Sequence, residues 1–179
     1  QKCRFDCCRS RHRGAPESAG KQKQMLKVGT KAKDFTLADQ DGETHTLSDY
    51  FGNWILIYFY PKDDTPGCTK EACMIGDVFP KFKKLKAKVF GISADSEKSH
   101  KKFAEKYDLP FTLLSDPDKK VLKLYGALGE KSMYGKKYIG ILRNSYLINP
   151  EGKIAKVYEK VNPEKHADEV LGDIKEFSK

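Results

Sequence analysis

The sequence predicts an α/β fold in which a central mixed β-sheet is flanked by helices, with a β-hairpin at its N-terminal end. Apolar runs of strand length alternate with longer amphipathic segments, and turn sequences close a hairpin both early and late in the chain. An apolar strand is also followed closely by a cysteine at the start of a helical segment. Strand–helix alternation places helices on both faces of a sheet, and the hairpins add antiparallel strands to it.

The first predicted elements form the N-terminal hairpin and the start of the core. Short alternating runs at 33–38 and 43–47 flank the turn sequence Asp39-Gln40-Asp41-Gly42. The apolar run 54–60 (WILIYFY) predicts a buried strand, and the amphipathic segment 69–86 predicts a helix.

The rest of the chain continues the alternation and closes with a hairpin and a helix. The remaining predicted strands are 88–93, 111–114, 144–148 and 153–159, and the remaining helices are 96–107, 117–125 and 163–177. Pro117 is expected in the first turn of its helix, where the missing N–H costs nothing.

The composition is that of a soluble globular domain with a tail. Hydrophobic residues make up 39% of the 179 and charged residues 33%. No apolar run approaches the ~20 residues of a membrane helix. The N-terminus also lacks the apolar core of a secretory signal, and we therefore expect no membrane partner.

The basic charge is concentrated at the N-terminus. Residues 1–24 carry +5 of the net +9 and show no hydrophobic periodicity, which predicts a disordered tail before a domain at 25–179. The tail suits the remnant of an Arg/Ser-rich targeting sequence, a nucleic-acid-tethering arm or a sequence artefact. Since the chain begins at Gln1, we expect a removed presequence or a fragment. The lysines of the domain are spread over amphipathic faces, which indicates a solvated surface rather than a nucleic-acid groove.

The five cysteines fall into two groups. They are Cys3, Cys7 and Cys8 in the tail, and Cys68 and Cys73 in the domain. An odd number clustered in this way does not indicate a secreted disulfide framework. A zinc site from the three tail cysteines and His12 is conceivable, but the spacing matches no zinc finger or ribbon, and we predict no metal.

Cys68 stands where the apolar strand turns into the first long helix. Helix N-termini present unpaired N–H groups and positive dipole, and both stabilise an anion. A free thiol with a pKa of ~8.5 is only slightly ionised at neutral pH, whereas helix N-termini are among the sites that lower thiol pKa values. The sequence therefore predicts a reactive thiolate in a thioredoxin-like arrangement.

The segment PKDDTPGCTKEAC, residues 61–73, resembles the active-site signature of peroxiredoxins. Its Cys-x4-Cys form is similar to the peroxiredoxin Q (bacterioferritin comigratory protein) subfamily. Segments 130–154 and 166–171 also resemble that subfamily, and the similarity extends over roughly 26–177. The resemblance implies a thioredoxin-like fold and a thiol-specific peroxidase that reduces hydrogen peroxide and organic hydroperoxides.

The resemblance also implies roles for five residues. Cys68 would be the peroxidatic cysteine, which becomes a sulfenic acid, and Cys73 the resolving cysteine, which forms an intramolecular disulfide with it. Thr65, Arg143 and Pro61 would complete the site. Thioredoxin or a similar dithiol would reduce the disulfide, and no haem, flavin or metal cofactor is implied.

Elementary chemistry agrees with these roles but leaves alternatives. Thr65 can place a hydroxyl against sulfur and peroxide, or merely cap the helix. Arg143 can favour the thiolate and donate to the peroxide, or serve as a surface ion-pair residue. Pro61 would limit water access. Cys68 and Cys73 could instead be structural cysteines, and none of the four histidines neighbours them in sequence, so we assign no histidine a catalytic role.

The spacing of the two cysteines carries a structural consequence. On a regular helix, five residues give ~7.5 Å of rise and ~140° of net rotation, which puts the two Cα atoms roughly 8–9 Å apart. A disulfide needs about 4.4–6.8 Å between them. We therefore expect the segment around 68–76 to unwind after oxidation. Gly76, a poor helix former, favours unwinding there.

Two other functions use the same cysteine pair. A dithiol–disulfide oxidoreductase would favour Cys-x-x-Cys over the four intervening residues found here, and a redox sensor or chaperone would react once per thiol. The family implies an intracellular location in the plastid stroma, the bacterial cytoplasm or the nucleus. A resolving cysteine in the same chain requires no partner subunit, and we therefore expect a monomer.

Overall fold

The computed structural model describes residues 25–179, so the predicted tail at 1–24 lies outside the described residues. The described chain holds a seven-stranded sheet in the order β2-β1-β5-β4-β3-β8-β9 and a separate two-stranded sheet, β6-β7. The strands are β1 (Thr36–Asp39), β2 (Thr44–Thr46), β3 (Trp54–Phe59), β4 (Ala87–Ser93), β5 (Thr112–Ser115), β6 (Leu128–Met133), β7 (Lys136–Ile141), β8 (Ser145–Ile148) and β9 (Ile154–Tyr158). The helices are α1 (Pro66–Lys84), α2 (Glu97–Lys106), α3 (Lys120–Leu124) and α4 (His166–Phe177), with a 3₁₀ helix at Leu47–Tyr50.

The large sheet is mixed, as predicted. Strands β3, β4 and β5 are parallel neighbours, whereas β8 and β9 on one side and β1 and β2 on the other are antiparallel. Strand β3 lies inside the sheet, where Ile57 pairs with Phe90 of β4 and with Tyr146 of β8. Every residue of β3 after Trp54 is buried, which explains why its sequence is a continuous apolar run.

Helices cover both faces of this sheet. Because side chains alternate along a strand, Leu56 and Tyr58 of β3 enter one core cluster, while Ile55, Ile57 and Phe59 enter the other. The first cluster takes its helical side chains from α1, α2 and α4, and the second from α3 and the 3₁₀ helix. The predicted layering of helix, sheet and helix is therefore confirmed.

Several boundaries differ from the prediction for local reasons. Helix α1 begins at Pro66 rather than at residue 69, because proline is tolerated at the first helical position. Pro117 lies before α3 rather than in its first turn. The carboxylate of Asp116 accepts hydrogen bonds from the amides of Lys120 and Leu122, and this delays the start of the helix. Helix α4 begins at His166 rather than at residue 163, after a turn at 162–165.

The hairpin of β6 and β7 was not predicted. Its two-residue turn, Tyr134-Gly135, has positive φ at both positions (51° and 79°), as a type I′ turn requires. The hairpin has only Ile141 buried among its strand residues. It therefore lacks the apolar alternation by which a half-buried strand is recognised.

Candidate active site

Cys68 is the third residue of α1 and is 1% exposed. Thr65 precedes the helix in an extended conformation, and Pro66 opens it. The amide of Thr69 donates to the carbonyl of Thr65 at 2.8 Å, which closes the first helical turn. The amide of Cys68 precedes this bond and belongs to the helix N-terminus, where N–H groups and dipole favour an anion. The structure thus places Cys68 where the sequence predicts it.

Arg143 reaches the sulfur of Cys68 from the other side of the site. Its Nη2 donates to Cys68 Sγ at 3.1 Å, across 75 positions of sequence. Its backbone is held between β7 and β8 by the amide of Val161, which donates to the Arg143 carbonyl at 2.9 Å. A guanidinium is permanently charged, and it stabilises a thiolate more than a thiol. The structure therefore brings Cys68 and Arg143 into contact, as the family resemblance led us to expect.

Gly67 makes the approach of Arg143 possible. A Cβ atom at this position would lie 2.6 Å from Nη2 and 3.3 Å from Cζ of Arg143. Real Cβ contacts are not that short, so any larger residue would push the guanidinium away from the sulfur. The glycine before Cys68 is therefore part of the geometry of the site.

Glu71 is a site residue that the sequence analysis missed. Its Oε2 lies 3.1 Å from Nη1 of Arg143, and its side chain is 1% exposed. Burial raises the pKa of Glu71 to about 7, although the charge and hydrogen bond of Arg143 act to lower it. Its Oε1 has no hydrogen-bond partner among the described residues. The available signal was its place three residues after Cys68, which puts both side chains on one helix face.

Thr65 and Pro61 lie on the loop between β3 and α1, and both are partly buried. The Thr65 hydroxyl donates to the carbonyl of Lys62 at 3.0 Å and makes no capping bond to the helix. The alternative reading of Thr65 as a simple helix cap therefore has no hydrogen bond to support it here.

The loop is fixed to the domain through a buried network centred on Asp63. The carboxylate accepts hydrogen bonds from the hydroxyls of Tyr60 at 2.6 Å and Ser99 at 2.8 Å. His100 Nδ1 lies 2.7 Å from Asp63 Oδ2, and its Nε2 lies 3.0 Å from the carbonyl oxygen of Leu114. Both ring nitrogens thus face oxygen acceptors. The buried pair thus ties the loop to α2 and to β5.

Asp64, the next residue of the loop, is bound at the protein surface by the C-terminal end of α2, the helix that carries Ser99 and His100. Asp64 has a left-handed conformation (φ 54°) and accepts hydrogen bonds from Lys106 at 2.7 Å and Tyr107 at 2.6 Å. These hydrogen bonds lower the pKa of Asp64. Two consecutive carboxylates therefore hold the loop that carries Thr65 against α2 and its C-terminal cap. Sequence reasoning gave neither carboxylate a role.

Cys73 lies on the same helix as Cys68, and both are free thiols. Cys73 is half-buried, and burial followed by the charge of Asp77 raises the pKa of its thiol. It lines a groove of about 630 Å³, whose other walls include Phe79, Leu109 and Pro110. The two cysteines therefore differ in access, since Cys68 is buried while Cys73 borders an open groove.

Helix α1 has a weak point after Cys73, at Gly76 and Pro80, where one backbone hydrogen bond of the helix is missing. Pro80 lies inside the helix and has no N–H to donate to the carbonyl of Gly76. Gly76 itself passes close to Pro110, whose Cδ would lie 3.4 Å from an added Cβ. Gly76 was expected to favour unwinding, whereas the effect of Pro80, four residues later, was not predicted.

No hydrogen bond joins His45 or His166 to either thiol among the described residues. His45 bonds Asp39, and His166 packs edge-on against Tyr158 with its ring nitrogens unpartnered among the described residues. Burial lowers the pKa of His166 to about 4. His12 lies outside the described residues, as does the conceivable zinc site of the tail.

Residues 25–179 contain no group of three or more His, Cys, Asp or Glu side chains placed to hold a metal ion. No helix in the same range combines the length and apolar character needed to cross a membrane.

A buried cysteine at a helix N-terminus, facing an arginine on a thioredoxin-like mixed sheet, defines a thiol-dependent redox protein. Comparison with known proteins agrees. Residues 28–157 match the AhpC/TSA family. The chain is 50% identical to "Putative peroxiredoxin bcp" of Coxiella burnetii, covering 82% of this chain and 97% of that protein. It is 48% identical to "Peroxiredoxin Bcp" of Escherichia coli K12, covering 86% and 98%.

Solved structures give the same result. A mutant of Xylella fastidiosa PrxQ superposes with a TM-score of 0.83 at 35% identity, covering 87% of this chain and 99% of that one. Xanthomonas campestris bacterioferritin comigratory protein, described for its alkyl peroxide reduction activity, gives 0.77 at 41% identity, covering 81% and 92%. The chain belongs to the AhpC/TSA family, as a peroxiredoxin of the Bcp/PrxQ type. The similar structures confirm the predicted fold. The relatives show that the protein is a thiol peroxidase, which confirms the predicted enzyme class.

Proposed function

We propose that Cys68 is the peroxidatic cysteine of this peroxidase and that its substrates are hydrogen peroxide and organic hydroperoxides. The observation that carries the proposal is the hydrogen bond from Arg143 to Cys68 Sγ. The thiolate attacks one peroxide oxygen, the O–O bond breaks, and its electron pair leaves on the other oxygen. That oxygen takes a proton and departs as water or an alcohol, while sulfur is oxidised to a sulfenic acid.

Negative charge develops on the departing oxygen in this step, and it is stabilised by Arg143, Thr65 and the Cys68 amide. Donors aimed at a developing oxyanion lower the barrier more than donors that bind substrate and transition state equally. Arg143 touches the sulfur, so a peroxide oxygen bound there lies within reach of the same guanidinium. Thr65 turns its hydroxyl from the Lys62 carbonyl toward the peroxide, and Pro61 shields the pocket from water.

Cys73 is the resolving cysteine. Its sulfur attacks the sulfenic sulfur of Cys68, the S–O bond breaks, and the departing hydroxide takes the Cys73 proton to leave as water. Two cysteines five positions apart on a formed helix are too distant for this bond. The helix therefore unwinds first, and Gly76 and Pro80 supply the weak point at which it opens.

Thioredoxin or a similar dithiol protein then reduces the disulfide. One thiolate of the reductant attacks a sulfur of the Cys68–Cys73 bond, and its second thiol completes the exchange. The reductant leaves as a disulfide, and both thiols of the peroxidase are restored. Peroxiredoxins of this type at 44–50% identity support a reductant of this class.

Coupled turnover tests the proposal. With thioredoxin, its reductase and NADPH present, adding peroxide should produce sustained NADPH consumption that depends on this protein. Consumption that instead requires a protein disulfide would indicate a dithiol–disulfide oxidoreductase. A single oxidation per thiol without turnover would indicate a redox sensor.

We also propose that the catalytic domain is residues 25–179 and acts as a monomer. The match of the family to residues 28–157 supports the boundary, and the presence of both cysteines on one helix supports the monomer. Deleting residues 1–24 should leave the melting temperature and the peroxidase turnover nearly unchanged. A large loss of either would place the tail within the fold or the site.

A further inference from the structure

The hairpin of β6 and β7 exposes an unusual number of large apolar side chains. Met133 is 56% exposed, Tyr134 98%, Tyr138 42% and Ile139 62%. Only Val28 and Phe177 join these four among the exposed large hydrophobic residues of 25–179. We call the four hairpin residues the apolar tip. An exposed apolar cluster of this kind marks an interaction surface.

The charges beside the apolar tip are mostly positive. The hairpin carries Lys131, Lys136 and Lys137 against a single acidic residue, Glu130, which pairs with Lys137 at 2.9 Å. Lys136 and Lys137 follow the turn directly in sequence, and both are exposed. This surface therefore complements an anionic one.

The distribution of these side chains over the hairpin indicates the kind of partner. Tyr138 pairs with Lys131 on one face, Ile139 pairs with Glu130 on the opposite face, and Tyr134 lies in the turn. A folded protein partner would cover one face of a hairpin and leave the other in water. A lipid interface surrounds whatever is inserted into it, and aromatic and basic residues are the side chains that favour this depth.

The hairpin is also continuous with the active site. Strand β7 ends at Ile141, two residues before Arg143. Lys131 is partly buried, and burial followed by the charge of Arg143 lowers its pKa, while Cys68 acts in the opposite direction. The base of the hairpin therefore adjoins the segment that carries Arg143, the residue in contact with Cys68.

We propose that the apolar tip binds the interface of membranes that contain anionic lipids. Met133, Tyr134 and Ile139 enter the headgroup region, and Lys136 and Lys137 contact lipid phosphates. Bound in this way, the protein holds the Cys68 pocket beside the surface at which lipid-borne peroxides become accessible. This last consequence rests on the proposed function, whereas the binding itself does not.

Vesicle sedimentation tests the binding without any reference to catalysis. The full chain should sediment with phosphatidylglycerol vesicles and much less with phosphatidylcholine vesicles, and added salt should release it. Each lysine near an anionic surface contributes roughly fivefold to partitioning, so Lys136→Gln with Lys137→Gln should weaken binding by roughly twentyfold or more. Tyr134→Ser with Ile139→Ser should reduce binding to both kinds of vesicle by about tenfold or more.

Matched variants distinguish vesicle binding through the apolar tip from nonspecific binding through any exposed apolar side chain. Val28→Ser and Phe177→Ser remove the two exposed apolar side chains outside the hairpin and should leave vesicle binding unchanged. Wild-type protein that fails to bind phosphatidylglycerol vesicles at low salt would overturn the proposal. So would hairpin variants that bind as well as wild type.

Two further readouts identify the other occupants of this surface. If the Tyr134→Ser, Ile139→Ser variant loses thioredoxin-driven turnover or changes the sedimentation coefficient while vesicle binding is unaffected, the tip contacts the reductant or a second copy, and the membrane assignment is wrong. Turnover of hydrogen peroxide in solution should be the same in this variant and in wild type. If the wild-type protein shows no turnover of hydrogen peroxide, the proposed function is wrong, whereas the vesicle result still stands.

Discussion

Arg143 donates from Nη2 to Cys68 Sγ at 3.1 Å, while its Nη1 lies 3.1 Å from the buried carboxylate of Glu71. One guanidinium thus joins the reacting sulfur to a carboxyl group whose pKa burial raises to about 7. The fork of the arginine fixes both contacts at once, which a single ammonium group could not do. This arrangement determines which substitutions should affect chemistry and which should affect stability.

Arg143→Lys should slow peroxide reduction even though the charge is kept. A lysine provides a flexible point charge in place of two fixed donors. Losing one well-placed donor to a developing oxyanion costs on the order of 10²–10³ in rate. Stopped-flow peroxide consumption gives the second-order rate constant. A variant within twofold of wild type would show that Arg143 does not act on the reacting atoms.

Gly67→Ala should displace the same guanidinium without removing it. The added Cβ would stand 2.6 Å from Nη2, so the arginine must move away from the sulfur. We expect slower peroxide reduction with little change in the helix itself, since alanine favours helix formation. Gly172→Ala is the matched control, because no atom lies within 4 Å of its added Cβ. Equal rates in the two variants would contradict the tight contact.

Glu71→Gln should change how stability depends on pH. A carboxyl whose pKa rises from 4.5 to about 7 on folding keeps a proton in the folded state that it loses on unfolding. Folding is therefore stabilised by this group at low pH, and that contribution is lost as pH rises from 4.5 to 7.

The measurement is urea unfolding of wild type and Glu71→Gln across this range. The difference in free energy of unfolding, wild type minus variant, should fall by up to roughly 3 kcal/mol between the two ends of the window. Glutamine keeps an oxygen for Arg143 and removes the titration. Parallel profiles for the two proteins would mean that folding does not raise the pKa of Glu71.

Oxidation should unwind α1 between Cys68 and Gly76. In the reduced protein both cysteines belong to a formed helix as free thiols. Hydrogen exchange of the amides of 69–76 should be slow in the reduced protein and fast once the disulfide has formed. Equal protection in both redox states, with the disulfide verified by mass spectrometry, would refute unwinding.

Pro80→Ala gives the matched variant for this step. It restores the N–H that can bond the Gly76 carbonyl and removes an interior proline, which costs a helix about 3 kcal/mol. Disulfide formation after oxidation should therefore slow, while the first oxidation of Cys68 keeps its rate. An unchanged rate of disulfide formation would place the weak point elsewhere.

The site was predictable to the extent that it depends on local sequence. Cys68, Thr65 and Pro61 stand on one turn between a strand and a helix, and the strand's apolar run and the helix's amphipathic pattern are visible in the sequence. Arg143 was inferred only through the family resemblance, because its contact with Cys68 spans 75 positions.

The rest depends on tertiary packing. Three polar residues lie inside the core, namely Glu71, Asp63 and His100. Their polarity alone predicts that each would be exposed. Their partners come from Arg143, α2 and β5, whose placement follows from the assembled sheet. The β6–β7 hairpin was missed because it is exposed and carries no buried alternation.

The central claim is that Cys68 reacts with peroxide and Cys73 resolves the product. Stopped-flow peroxide consumption with mass spectrometry of Cys68→Ser and Cys73→Ser tests it most directly. Cys68→Ser should consume no peroxide. Cys73→Ser should react at the wild-type rate, accumulate a sulfenic acid on Cys68 and fail to turn over with thioredoxin. Equal loss of the first oxidation in both variants would contradict the assignment of nucleophile and resolver.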